Sequence, residues 1–193
     1  QSSDDNTAND AETIIVTAQR ANQRLQDVPI AVSAFSTEAL EKQQIKNTSD
    51  LQLSLPNVTF TKTNFTSASF TIRGIGDLCV GTTCDSATAI HMNDAPLFGT
   101  RLFEGEFYDM GQIEVLRGPQ GTLFGRNTPA GIVKVDSIKP GQETDVRAGL
   151  SFGSLNTMSM NGAVGGSLVE DKLAFRVAAQ LQRRGDWIDN GFT

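Results

Sequence analysis

The chain has 193 residues, enough for one or two domains, with a net charge of −6 and a sequence pI near 4.8. That acidic balance argues against a nucleic-acid partner, and no run of about 20 apolar residues exists to form a transmembrane helix. A membrane β-barrel stays open, because its alternating strands barely register on hydropathy; the 18 glycines and 11 phenylalanines suit a turn-rich, β-rich chain.

Residues 1–11 are polar, acidic and aperiodic, and read as disordered. No basic region followed by an apolar run opens the chain, so in an exported protein Gln1 would be the mature N-terminus. Glu12, Thr13, Ile14, Ile15, Val16, Thr17 and Ala18 then form a β-branched run. By composition it is either an ordinary edge strand or an exposed strand that another protein extends by β-augmentation.

A strand is expected over 29–35, and Ser36 or Thr37 can cap a helix running to about Gln44, with Ala39 and Leu40 inward. A second short helix is expected after Thr48 or Ser49, carrying Leu51, Leu53 and Leu55 and stopped by Pro56. Residues 57–63 read as a strand with Val58 and Phe60 on one face. Residues 70–76 read as a strand ending in a glycine turn. Gly74 and Gly76 start a G-x-G, but Cys79 stands at the third position and no helical pattern follows, so a dinucleotide site is rejected.

Cys79 and Cys84 are the only cysteines. In an oxidising compartment a local disulfide is expected. The alternative is a metal site with Asp85 and His91, at a spacing that matches no common zinc pattern; no metal or cofactor is expected. Residues 89–97 read as a strand, a turn at Asn93-Asp94 and a restart, with the lone His91 packed rather than a ligand. Residues 113–135, IEVLRGPQGTLFGRNTPAGIVKV, are an apolar run, a glycine-rich connection and a second β-rich run. Residues 121–126 lack the Gly-Lys-Ser/Thr of a phosphate-binding loop.

Beyond Pro140-Gly141 the pattern changes to alternation. Val146, Ala148, Leu150 and Phe152 share one face, as do Met158, Met160, Gly162, Val164 and Leu168, and then Leu173, Phe175, Val177, Ala179 and Leu181. Ser154-Leu155-Asn156 and Glu170-Asp171 turn the chain, and Trp187 follows the third strand at a girdle position. Strands of ten or so residues with one apolar and one small or polar face suit a transmembrane barrel, although half-buried soluble sheets alternate too.

The run Glu114-Val115-Leu116-Arg117-Gly118-Pro119, continued by Gly121, Leu123, Phe124, Gly125, Arg126, Asn127 and Gly131, resembles the signature that ends the plug domain of TonB-dependent outer-membrane receptors. The resemblance implies an α+β plug domain over 19–139, followed over 140–193 by the first antiparallel strands of a transmembrane β-barrel. Three strands cannot close a barrel, so the rest would lie beyond them or come from another chain. Residues 12–18 then look like a TonB box, the segment captured by the periplasmic energy transducer TonB. Arg73 and Arg117 match plug positions that pair with glutamates of the barrel wall. Plug loops 63–69, 76–88 and 98–104, with Asn64, Phe65, Asp77 and Arg101, would face an extracellular solute. The implied function is energy-coupled uptake of a large solute across the Gram-negative outer membrane, with membrane lipid around the barrel. Ferric siderophores are the family's commonest cargo. The alternative is a plug-like binding or assembly module without transport. One histidine, no paired carboxylates at a recognisable spacing and no nucleotide loop argue against an enzyme.

Overall fold

In the computed structural model the described residues are 14–17, 21, 23–62, 68–76, 86–97, 107–154 and 156–185. They fall into two units, Gln1–Ser137 and Ile138–Thr193.

In the first unit β1 (Ile15–Val16) pairs antiparallel with β2 (Gln23–Arg24), and a single 3-10 turn, Leu25–Asp27, follows. β3 (Ala31–Ser36) leads into α1 (Thr37–Lys42) and α2 (Thr48–Ser54), then the antiparallel pair β4 (Val58–Lys62) and β5 (Ala68–Ile72). β6 (Thr88–Met92), β7 (Ala95–Leu97), β8 (Met110–Arg117), the one-turn helix α3 (Gly121–Phe124) and β9 (Gly131–Ser137) complete it. β3, β8, β9, β6 and β7 lie side by side in one sheet, antiparallel except for the β6–β9 pair.

Local chemistry explains the helices. The Ser36 hydroxyl accepts the Ala39 amide at 3.4 Å, which caps α1. α1 ends at Lys42, two residues before the expected Gln44, which takes a positive φ of 55°. α2 is capped by Asn47 rather than Thr48 or Ser49. Asn47 Oδ1 accepts the Asp50 amide and Asp50 Oδ2 accepts the Asn47 amide, a reciprocal pair that satisfies two helix-end donors. Leu51 on the inner face of α2 and Leu55, the extended residue that ends it, are buried; Leu53 between them turns outward and is 84% exposed. Asn93 and Asp94 both take positive φ, as the expected turn requires.

Both faces of the five-stranded sheet are covered. Alternate residues of β8, Ile113 and Val115, join Val133, Val135, Ile90 and Phe35 against Leu40, Leu51, Leu55, Phe70 and Ile72. The opposite face carries Leu116 and Ile132, which pack with Val16 of β1 and Phe124 of α3. Gly131 is where the backbone comes closest: its φ is +152°, and a Cβ there would sit 2.3 Å from the Leu116 carbonyl oxygen. The glycine-rich connection thus lets β9 return flush against β8.

In the second unit β10 (Asp145–Gly153), β11 (Thr157–Val169) and β12 (Leu173–Arg183) form an antiparallel sheet. Register aligns the expected apolar face: Phe152 opposes Met158, Leu150 opposes Met160, and Met160 opposes Leu181. That face is open, with Phe152 76% and Leu181 72% exposed. On the other face Arg176 of β12 reaches over β11 to Asp145 of β10, 2.9 Å away, above Gly165, whose missing side chain leaves the path clear. Asn156 and Asp171 turn the strands in left-handed conformation. A bulge interrupts β11 between Ser167 and Val169.

Candidate functional site

The charged residues of the sheet interior sit where β1 docks. Glu114 in β8 lies directly opposite Lys134 in β9, and Lys134 opposite His91 in β6. Directly opposed residues share a face, so these three form a polar row on the Leu116–Ile132 side. All three are buried, Glu114 completely. The segment Ile14–Thr17 closes over the row.

Thr17 makes the central contacts. Its amide donates to Glu114 Oε1 at 2.7 Å, and its hydroxyl donates to the same oxygen at 3.2 Å. The Lys134 ammonium donates to the Thr17 hydroxyl oxygen. Lys134 also bridges Asp136 at 3.0 Å and Asp94 at 3.2 Å. Asp94 reaches this position because the Asn93 turn is tied to β9: the Asn93 amide donates to the Val135 carbonyl, and Asn93 Oδ1 accepts the Ser137 amide. Gln112 Nε2 donates to the Ile15 carbonyl at 2.9 Å. Val16 is fully buried beside Leu116, Ile132 and Phe124.

Electrostatics at the seat are unbalanced. Burial pushes the Glu114 carboxyl up, and the charge of Asp136 adds to it; the Thr17 hydrogen bonds and Lys134 pull it back without cancelling the rise. Burial alone would lower the Lys134 ammonium, but the hydrogen bonds and charges of Asp136 and Asp94 outweigh it and hold the pKa above the ordinary lysine value. Glu114 Oε2 is buried and has no hydrogen-bond partner among the described residues.

Of the residues singled out from the sequence, Ile14, Ile15, Val16 and Thr17 come together at this seat. The β-branched strand is paired with β2 on one side and bonded to β8 side chains on the other. Glu12, Thr13, Ala18, residues 1–11, Asn64, Phe65, Asp77, Cys79, Cys84, Arg101 and Trp187 lie outside the described residues. Arg73 is exposed at the turn after β5 with a φ of 54°, its amide donating to the Asn57 carbonyl. Arg117 ends β8, and its Nη2 donates to Ser33 Oγ at 2.8 Å, while its buried Nε lacks a partner among the described residues. His91 is packed edge-on against Phe124, ring centroids 5.4 Å apart. The roles of Glu114, Lys134, Gln112, Asp94 and Asp136 escaped the sequence reading. The available signal was a single charge inside each of two otherwise apolar runs, Ile113–Leu116 and Ile132–Val135.

A sequence model of the TonB-dependent Receptor Plug Domain matches residues 24–132. Over 192 residues the chain is 30% identical to the iron-regulated outer membrane virulence protein of Vibrio cholerae, covering 94% of this chain and 29% of that protein. It is 29% identical over 118 residues to the catecholate siderophore receptor Fiu of Escherichia coli, covering 53% of this chain and 16% of that one. Among solved structures, the pyoverdine outer membrane receptor FpvA of Pseudomonas aeruginosa superposes with a TM-score of 0.74 at 18% identity, over 90% of this chain and 25% of that one. At that identity the likeness is one of fold. The chain spans less than a third of the length of these curated relatives.

Proposed function

The chain belongs to the TonB-dependent receptor plug family, and from that premise we propose that it supplies the plug and first barrel strands of an outer-membrane receptor that takes up a large solute, a ferric siderophore first among candidates, with energy drawn from TonB. The observation that carries this reading is the docked strand Ile14–Thr17, held on the plug sheet by Thr17, by the Gln112 bond to Ile15 and by one buried valine, and paired over two residues with β2. Such an attachment holds the segment in register yet is small enough to give way.

TonB would add its own strand to residues 12–18 by β-augmentation. Both flanks of β1 are occupied in this structure, so the segment must leave its seat first. Solute arriving at plug loops 63–69, 76–88 and 98–104, with Asn64, Phe65, Asp77 and Arg101, would bias that departure. A disulfide between Cys79 and Cys84 would stiffen the second loop. Arg73 and Arg117 would pair with carboxylates of the barrel wall. The exposed apolar face of β10, β11 and β12 would meet membrane lipid. Relatives named for catecholate siderophores, ferrioxamine B and pyoverdine outnumber one named for vitamin B12, which is the ground for the candidate cargo.

The test is capture by the purified periplasmic domain of TonB, together with uptake of labelled ferric siderophores by iron-starved cells. Deleting residues 12–18 abolishes both on this reading. Uptake that survives the deletion refutes it, and assembly into the outer membrane with neither capture nor uptake favours the assembly-module alternative.

A further inference from the structure

The seat is over-supplied with negative charge. Glu114, Asp136 and Asp94 surround the single ammonium of Lys134, and Lys134 spends its contacts on the two aspartates and the Thr17 hydroxyl. Among the described residues Glu114 has no ion-pair contact, and the Lys134 charge offsets its burial only in part. One of its oxygens takes both Thr17 donors and the other, buried, takes none among the described residues. The remaining groups at this register are His91 of β6 beyond Lys134, and Ala34 of β3, which offers no charge. A buried carboxylate in this state is costly, and a residue that costs stability while fixing a register has the character of a specificity and switching device.

We propose that Glu114 is a release element: it selects the register of the docked segment through Thr17 and, being only half satisfied, keeps the docking weak enough to be undone. The inference rests on reading 12–18 as the coupling segment. Lifting the segment returns water to Glu114 and frees Lys134 to turn to the carboxylate directly opposite it. The release thus carries part of its own driving force. The docked carboxyl titrates above the ordinary glutamate value, whereas a hydrated one does not. Docking therefore takes up protons, and acid tightens it. Glu114→Gln keeps an oxygen for the Thr17 amide and removes the charge, so it tightens docking at neutral pH.

The experiment is hydrogen exchange, read by mass spectrometry, on the peptide covering 14–17 in the intact receptor, corrected for intrinsic rates. In the wild type, protection should rise on going from about pH 7.5 to about pH 5. In Glu114→Gln it should already match or exceed at about pH 7.5 the level that the wild type reaches at about pH 5, and stay flat across the series, because no carboxylate is left there to protonate. Equal or lower protection in Glu114→Gln overturns the proposal. If that variant does not assemble, the wild-type series decides alone, and no pH dependence overturns it. TonB capture separates the two readings. Tightened docking with no TonB binding leaves the release element standing and removes the coupling. TonB binding with unchanged exchange does the reverse.

Discussion

Val16→Ala should open the docked segment without unfolding the plug. Val16 is fully buried among Leu116, Ile132 and Phe124, so the substitution removes two methyl groups from a covered site. At about 0.8 kcal/mol per buried carbon the loss is roughly 1.5 kcal/mol, or about tenfold in the population of the open form. Arg24 is the reporter. It lies exposed in β2, opposite Ile15, and a protease can take it only when β1 and β2 have separated. Trypsin cleavage after Arg24 should run about tenfold faster in the variant when opening is fast relative to cutting. Ile15→Val is the control: Ile15 is 55% exposed and the loss of one methyl there should change cleavage less than about twofold. Unchanged cleavage in Val16→Ala, or equal acceleration by Ile15→Val, refutes the claim that the buried valine anchors the segment.

Gly131→Ala places a Cβ 2.3 Å from the Leu116 carbonyl oxygen and 2.9 Å from Ile72 Cδ1 at a left-handed φ, and should destabilise the plug by about 2–4 kcal/mol in urea unfolding. Asn47→Ala removes one half of the reciprocal cap of α2 and should cost about 1 kcal/mol in the same measurement. Lys134 has a folded pKa above its unfolded one, so its stabilisation is present in full below the ordinary lysine value and fades as pH rises through the folded value. Melting temperature should therefore fall above about pH 10 in the wild type, and less steeply in Lys134→Met. Leu150→Arg puts a charge on the open apolar face of the second unit; a lipid-facing site near mid-membrane would cost about 2–4 kcal/mol, visible as loss of the heat-modifiable folded band on gels.

Much of the fold was legible because short-range chemistry decides it. Ser36, the Asn93-Asp94 turn and the alternation of 146–152 and 158–164 each carry their own geometric consequence. The misses are also local. Asn47 outcompetes Thr48 because a cap is chosen with its reciprocal partner, here Asp50, and Leu53 sits off the buried stripe once the start of α2 is fixed. α3 was hidden inside a glycine-rich run. The seat was harder to see for a different reason. Glu114 and Lys134 are 20 residues apart, and only the return path of 118–130 sets the register that opposes them. Thr17 meets Glu114 from 97 residues away and Lys134 from 117. Nothing in the immediate neighbourhood of any one of these residues encodes that meeting.

The pairing of β1 with β2 also has a mechanical consequence. Ile15 opposes Arg24 and Val16 opposes Gln23, while the Leu25 amide donates to the Ile14 carbonyl. A tug on the chain ahead of Ile14 is therefore resisted, through Leu25, at the same end of the pair. The bonds are loaded one after another, as in peeling tape, rather than all together, as in sliding one strip along another. The contacts yield in the order Ile14, Ile15, Val16, Thr17, so the Glu114 bond is the last to feel tension. A weak final bond matters in that geometry, because it adds no new barrier once the contacts of Ile14, Ile15 and Val16 have given way.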